Sequence, residues 1–438
     1  MVIGRSAESV TSTGQADDDT ANGPLQSVLG GFDLTDLDRY GVGFPHDVFT
    51  RLRRDAPVLY HPPGHTADGE GFWVLSRYAE IAQAGSDIAL FSSQGGGGRA
   101  DGGTHIDDLP TGIYGGVMLN MMDDPRHDLF KRLLSPPVSE PALGGLEPRL
   151  RQLAGEIVTK AVRRGACDFQ IDVTAGMALQ SIALVLGVPE QDWPRFFGWT
   201  DVAMGYEDRD TGVVTDRSQS SLADMFNYGA GLITAKRAAP GNDLLSALAC
   251  GGFPEDAGEQ PLTEFERQVF FNLVSLAGTE PTRGAIAIGM LALSEHPEQW
   301  QALRADRSLL PGAIEEMLRW ASPTPYNRRT ATRDSEIGGT RIRAGEKVTL
   351  WWASANRDET VFPDPFRFDI LRDPNPQLAF GIGGHTCLGE RLGRLEMRVL
   401  FDVLLDQVAE VHVTGPVKWA RNNKHIVVLR MPVELVRS

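Results

Sequence analysis

The sequence predicts a mainly α fold with small β-sheets. Three observations carry that expectation. Helical patterning dominates from about residue 127 to about 320. Strand-like runs are short and confined to flanking segments, PVLYH (57–61), GFWVLS (71–76) and the stretch near 330–350. One apolar helical run, beginning near Thr263, is longer than an ordinary globular helix.

Composition bounds the class. A chain of 438 residues with 42% hydrophobic content holds either one large core or two domains. The net charge of −16 argues against nucleic acid or an anionic membrane as a partner of the whole surface. Three cysteines do not make a disulfide scaffold and suit a reducing compartment. Residues 1–30 begin polar, small and acidic, with no apolar signal core, and read as a disordered tail. No run of about 18 apolar residues is present, so no membrane span is expected. Together these features predict a cytoplasmic protein.

Taken in order, Pro45 to Arg54 reads as a short helix, followed by the two strand-like runs. Residues 94–116 (QGGGGRADGGTHIDDLPTGIYGG) form a long glycine-rich loop of the kind that is functional or mobile. A second polar break lies at 206–220. In EIGGTRIRAGEKVTL, Gly338–Gly339 is a hairpin turn between short strands.

The run from Thr263, TEFERQVFFNLVSLAGTEPTRGAIAIGMLALSE, would span roughly 48 Å as one helix. It is apolar on nearly all sides, which predicts an interior position. Gly278, Thr279, Glu280, Pro281 and Thr282 interrupt it. A buried carboxylate beside proline is costly in a core helix. One reading is a structural kink with Glu280 paired to an arginine. The other, favoured because kink, acid and hydroxyls coincide, is an active-site notch.

The most informative stretch is FGIGGHTCLG, Phe380–Gly389. Cys387 sits where a glycine-rich loop becomes the helix ERLGRLEMRVLF, a position that favours thiolate. A dinucleotide loop would need a βαβ unit and a later acid, which the end of the chain leaves no room for. Zinc would need partner ligands at metal spacing, and Cys167 and Cys250 lie in unrelated segments. A nucleophilic cysteine with His385 as base and a lone thiolate on haem iron both remain.

The stretch resembles the haem-thiolate loop of the cytochrome P450 family. Further family marks stand in order: Glu316 and Arg319 in EEMLR, PFRF (365–368), Arg329 in NRRTATRD, His127 in DDPRHDLFKR, and AGTEPT in the oxygen-binding position of the central helix. The resemblance covers roughly residues 40 to 435 and implies one helix-rich unit, residues 31–438. Haem b (iron protoporphyrin IX) would lie between the central helix and the Cys387 helix. It implies Cys387 as iron ligand, with Phe380, Gly381, Gly383, Gly384 and Gly389 shaping the loop. His127, Arg329 and His385 would meet the propionates, with either Lys131 or Arg132 beside them. Glu316, Arg319 and Arg367 would form a buried ion network.

The family's oxygen-binding pattern has an acid followed directly by threonine. Here Pro281 follows Glu280 and Thr282 comes one place later, about 100° round the helix. Ala277, Gly278, Glu280 and Thr282 are the oxygen-relay candidates, with atypical chemistry one consequence of Pro281. Val117, Leu119, Leu273, Ala277 and Pro325, with the 190–230 region, suggest an apolar pocket for a lipophilic substrate, and details of the chain look most like the steroid- and terpenoid-oxidising bacterial sub-group. The resemblance implies O2 as co-substrate and a ferredoxin or flavodoxin-type electron donor, which Arg391, Arg394 and Arg398 on one helix face could dock. Peroxide-driven oxidation and a non-catalytic haem-binding accessory role are the rival functions.

Overall fold

The computed structural model describes residues 28–109, 113–203 and 216–438. Most of the expected tail, residues 1–27, lies outside these, as do 110–112 of the glycine-rich loop and 204–215 of the second polar break and the pocket region. Val28 and Leu29 are buried, and their carbonyls accept hydrogen bonds from Arg51.

Two hydrophobic cores organise the molecule. The larger is helical and gathers Glu140–Arg164, Ala175–Leu186, Glu280–Glu295, Leu310–Ala321 and Glu390–Gln407. Each presents an apolar stripe; Leu310–Ala321, for example, buries Leu310, Ala313, Ile314, Met317 and Leu318. The smaller core lies under a five-stranded sheet ordered Val58–His61, Phe72–Leu75, Lys347–Leu350, Asn327–Ala331, Phe91–Ser92. All its neighbours are antiparallel except Phe72–Leu75 with Lys347–Leu350, where Trp73 pairs with Val348. A three-stranded antiparallel sheet of Ala166–Asp168, Pro432–Arg437 and Val408–Val413 and two small hairpins complete the strands of the described residues.

Local chemistry explains the elements. The first predicted helix runs His46–Asp55. The turn at Gly338 and Gly339, both with positive φ, joins Ser335–Ile337 to Thr340–Ile342 as a tight hairpin. The polar break closes at Asp216, where helix Asp216–Ala238 begins, so its last residues are helical.

The long central helix differs from expectation. It starts where predicted, with Thr263 and Glu266 capping one another. It then divides into Glu264–Ala277 and Glu280–Glu295. The Gly278 amide still reaches the Val274 carbonyl at 2.9 Å, but the Thr279 amide tightens to Leu276 at 3.1 Å. Pro281 has no N–H to offer the Ala277 carbonyl, yet its fixed φ suits the first turn of a new helix. The proline therefore ends one helix and starts the next. The second half is buried without interruption from Arg283 to Met290, as an all-round apolar helix should be.

Candidate active site

The Cys387 loop is built from its backbone outward. The Cys387 amide donates to the Phe380 carbonyl at 2.9 Å, closing the loop, and the Gly393 amide continues the following helix onto Gly389 at 2.9 Å. Gly383 has φ +74°, and a Cβ there would lie 2.7 Å from the Gly85 carbonyl oxygen, so only glycine fits. The Phe380 ring packs over the Arg394 guanidinium at 4.7 Å.

Cys387 is solvent-accessible yet deeply recessed. Burial raises its thiol pKa, and Glu390 adds to this; the Gly389 amide bonded to sulfur, Lys131 and Arg394 pull the other way. Ala277 is likewise accessible although its helix crosses the interior.

A polar cluster adjoins the loop. The His127 and His385 rings stack at 3.9 Å. Asp124 receives His127 Nδ1 at 3.0 Å, and Ser93 Oγ lies 3.3 Å from His385 Nε2. Burial lowers both histidine pKa values, His385 to about 2, with Arg329, His127 and Lys131 adding to the His385 effect. Arg329 is buried, its Nη1 donates to the Arg328 carbonyl at 2.9 Å, and its Nε has no partner. Burial pushes its pKa down to about 10.

Lys131 donates to the carbonyls of Gly384 (2.7 Å) and Thr386 (2.6 Å), clamping the loop. Arg132 is a correction. Its side chain is 75% exposed and pairs with Asp128. Adjacent helical residues point about 100° apart, so only one of the two can face inward.

The ion network is present with a different third member. Arg319 makes two 2.7 Å bonds to Glu316 and donates to the carbonyls of Asn356 and Pro365. Arg372 Nε completes the carboxylate at 3.2 Å. The Arg367 guanidinium is exposed, and only its carbonyl joins, accepting from Arg319 and Arg372. No local pattern marks Arg372; it reaches Glu316 through the fold of the Phe366–Pro376 segment.

At the central break, the candidates separate. Glu280 is buried, and its Oε2 lies 3.5 Å from His425 Nδ1. Gly278 packs closely, since a Cβ there would meet Ile182 Cδ1 at 2.5 Å. The Thr282 hydroxyl turns back onto the Gly278 carbonyl at 3.4 Å. Thr279 does the same with Ser275 at 2.7 Å. Arg394 and Arg398 of the proposed docking face are paired with Glu315 and Glu147, which leaves Arg391 as its exposed cation with no ion pair among the described residues. No helix among the described residues is long and apolar enough to cross a membrane.

The sequence matches the cytochrome P450 family over residues 234–432. Cytochrome P450 126 of Mycobacterium tuberculosis is 43% identical over 411 residues, covering 93% of this chain and 98% of that protein. A methyl-branched lipid omega-hydroxylase of Mycobacterium bovis is 39% identical, covering 84% and 85%. Linalool 8-monooxygenase of Pseudomonas putida is 33% identical, covering 89% and 95%. The crystal structure of a cytochrome P450 from Novosphingobium aromaticivorans superposes with a TM-score of 0.81 at 29% identity, covering 94% and 98%.

That family carries haem held by a cysteine thiolate. The residues present fit it. A recessed but accessible thiol stands at the helix start. Beside it, the Arg329 guanidinium, with its Nε unbonded among the described residues, and the His127–His385 ring nitrogens offer donors suited to carboxylates.

Proposed function

The chain belongs to the cytochrome P450 family, and from that premise we propose a monooxygenase that inserts oxygen from O2 into a lipophilic small molecule of terpenoid or steroid size. Electrons come from a separate ferredoxin or flavodoxin-type donor. The three free cysteines suit a cytoplasmic setting. Haem supplies the activation of O2 when bound.

The protein residues then have distinct tasks. Cys387 is the iron ligand, and the Gly389 amide tunes its sulfur. Arg329, His127 and His385 hold the propionates, while Lys131 holds the loop itself. Glu280 holds a proton-donating position at the break in the central helix, three residues from the accessible Ala277. The observation that carries this reading is the accessible Cys387 thiol within a loop fixed on all sides. The named relatives act on a methyl-branched lipid and on linalool, which supports a lipophilic substrate.

The test is the absorption spectrum of the reduced protein with carbon monoxide, followed by titration of the ferric form with linalool, a sterol and a branched fatty acid. A red-shifted thiolate–carbonyl band and a spin-state shift with at least one compound are expected. A histidine-like band, or no haem band, overturns the reading.

A further inference from the structure

Pro281 leaves Glu280 without the neighbouring alcohol, and the fold brings a different group to that carboxylate. His425 stands on the turn after strand Lys418–Trp419, far from the central helix in sequence, with Nδ1 3.5 Å from Glu280 Oε2. The turn is fastened from several directions. The His425 amide donates to Asn422 Oδ1 at 2.8 Å, and the next amide, Ile426, donates to the Pro323 carbonyl at 2.9 Å. Lys424 Nζ donates to the carbonyls of Thr104 and Tyr326 and to Asn327 Oδ1, at 2.7–2.9 Å. Gly284, one helical turn beyond Glu280, lets the turn approach: a Cβ there would lie 2.9 Å from the Ile426 carbonyl oxygen.

Exposure falls along the pair. The His425 side chain is 24% accessible and that of Glu280 is 7%. The imidazole therefore touches solvent or cavity water, while the carboxylate is shielded. We infer that His425 is the proton-relay partner of Glu280, filling through the tertiary fold the role that an alcohol at position 281 would fill locally. This rests on the monooxygenase reading above. The imidazolium passes its Nδ1 proton to Glu280 Oε2, directly or through one water. The ring keeps its Nε2 proton and regains one at Nδ1 from water, and Glu280, protonated in the exchange, passes a proton on and returns to carboxylate. His425 acts through Glu280 and is a positioning and relay residue.

Among the described residues, the surrounding charged and titratable groups are His105 from the glycine-rich loop, Lys424 from the same turn, Arg328 and Arg329 from Asn327–Ala331, and Arg283 with Asp201. His105 is held neutral, with a pKa near 3, by burial first and then by Lys424, His425 and Arg328.

Histidine C2-proton exchange read by mass spectrometry measures the His425 pKa in the haem-loaded full chain. Glu280→Gln is expected to lower it by at least about half a unit, since a carboxylate this close favours imidazolium. Peroxide-driven oxidation of guaiacol, which needs no redox partner, is expected to fall at least about tenfold in His425→Gln with a flattened pH profile. Glutamine can still hydrogen-bond Glu280 but carries no titrating proton, so a merely structural latch would leave the pH profile unchanged. An unmoved His425 pKa in Glu280→Gln, or wild-type rate and pH profile in His425→Gln, overturns the relay. The reduced carbonyl band of each variant reports its fold. Its absence from the wild type would overturn the monooxygenase reading instead.

Discussion

The Cys387 loop and the break in the central helix are held by opposite means. The loop is fixed by what it receives. Lys131 donates to two of its carbonyls, the Phe380 carbonyl closes it, and Asn356, itself tied to Arg319, accepts the Leu378 amide at 2.7 Å. The break is fixed by what is missing, a proline without an N–H and a glycine without a Cβ. Regions held by buried charge should fail abruptly when one partner goes. Regions shaped by absent atoms should respond in proportion to the atoms added.

The largest expected effect is on the loop side. Arg319→Ala strands Glu316 with neither surface nor full pairing, and should cost about 3–5 kcal/mol, read as a lower urea midpoint and poor haem retention. A loss confined to activity, with unchanged midpoint, would break the contrast. Next comes the break. Gly278→Ala should cost about 1–3 kcal/mol through overpacking on Ile182, with Ile182→Val recovering part of it in the double variant. Full additivity in thermal melts would show that the two side chains do not meet. The smallest effect separates neighbours. Lys131→Met should lower the melting midpoint by a few degrees and loosen haem, whereas Arg132→Met, on the solvent side, should leave both unchanged. Equal effects would refute the assignment of Lys131 to the loop.

Legibility followed the same division. The loop could be read locally because contiguous residues make its geometry: a cysteine at a helix start and glycines at left-handed φ. The start of the central helix was legible in Thr263 and Glu266, which cap through three-residue spacing. Its interruption was legible in Pro281, but a continuous helix was expected, because a kinked helix and two abutting helices share one pattern. The packing role of Gly278 was hidden for a related reason. A glycine beside an acid looks like an opening until Ile182, from another helix, is seen to occupy the space.

The chain alone determined the mainly helical class, the position of the thiol, the Glu316–Arg319 pair and the place where the central helix breaks. Each depends on spacing within a turn or two, where backbone geometry leaves few choices. Only the tertiary structure decided that Arg372 rather than Arg367 completes the carboxylate network, that Lys131 rather than Arg132 meets the loop, and that His425 meets Glu280. Those pairings join residues that no helical or strand period relates. Their partners were set by how the helices pack and where the turns are fastened.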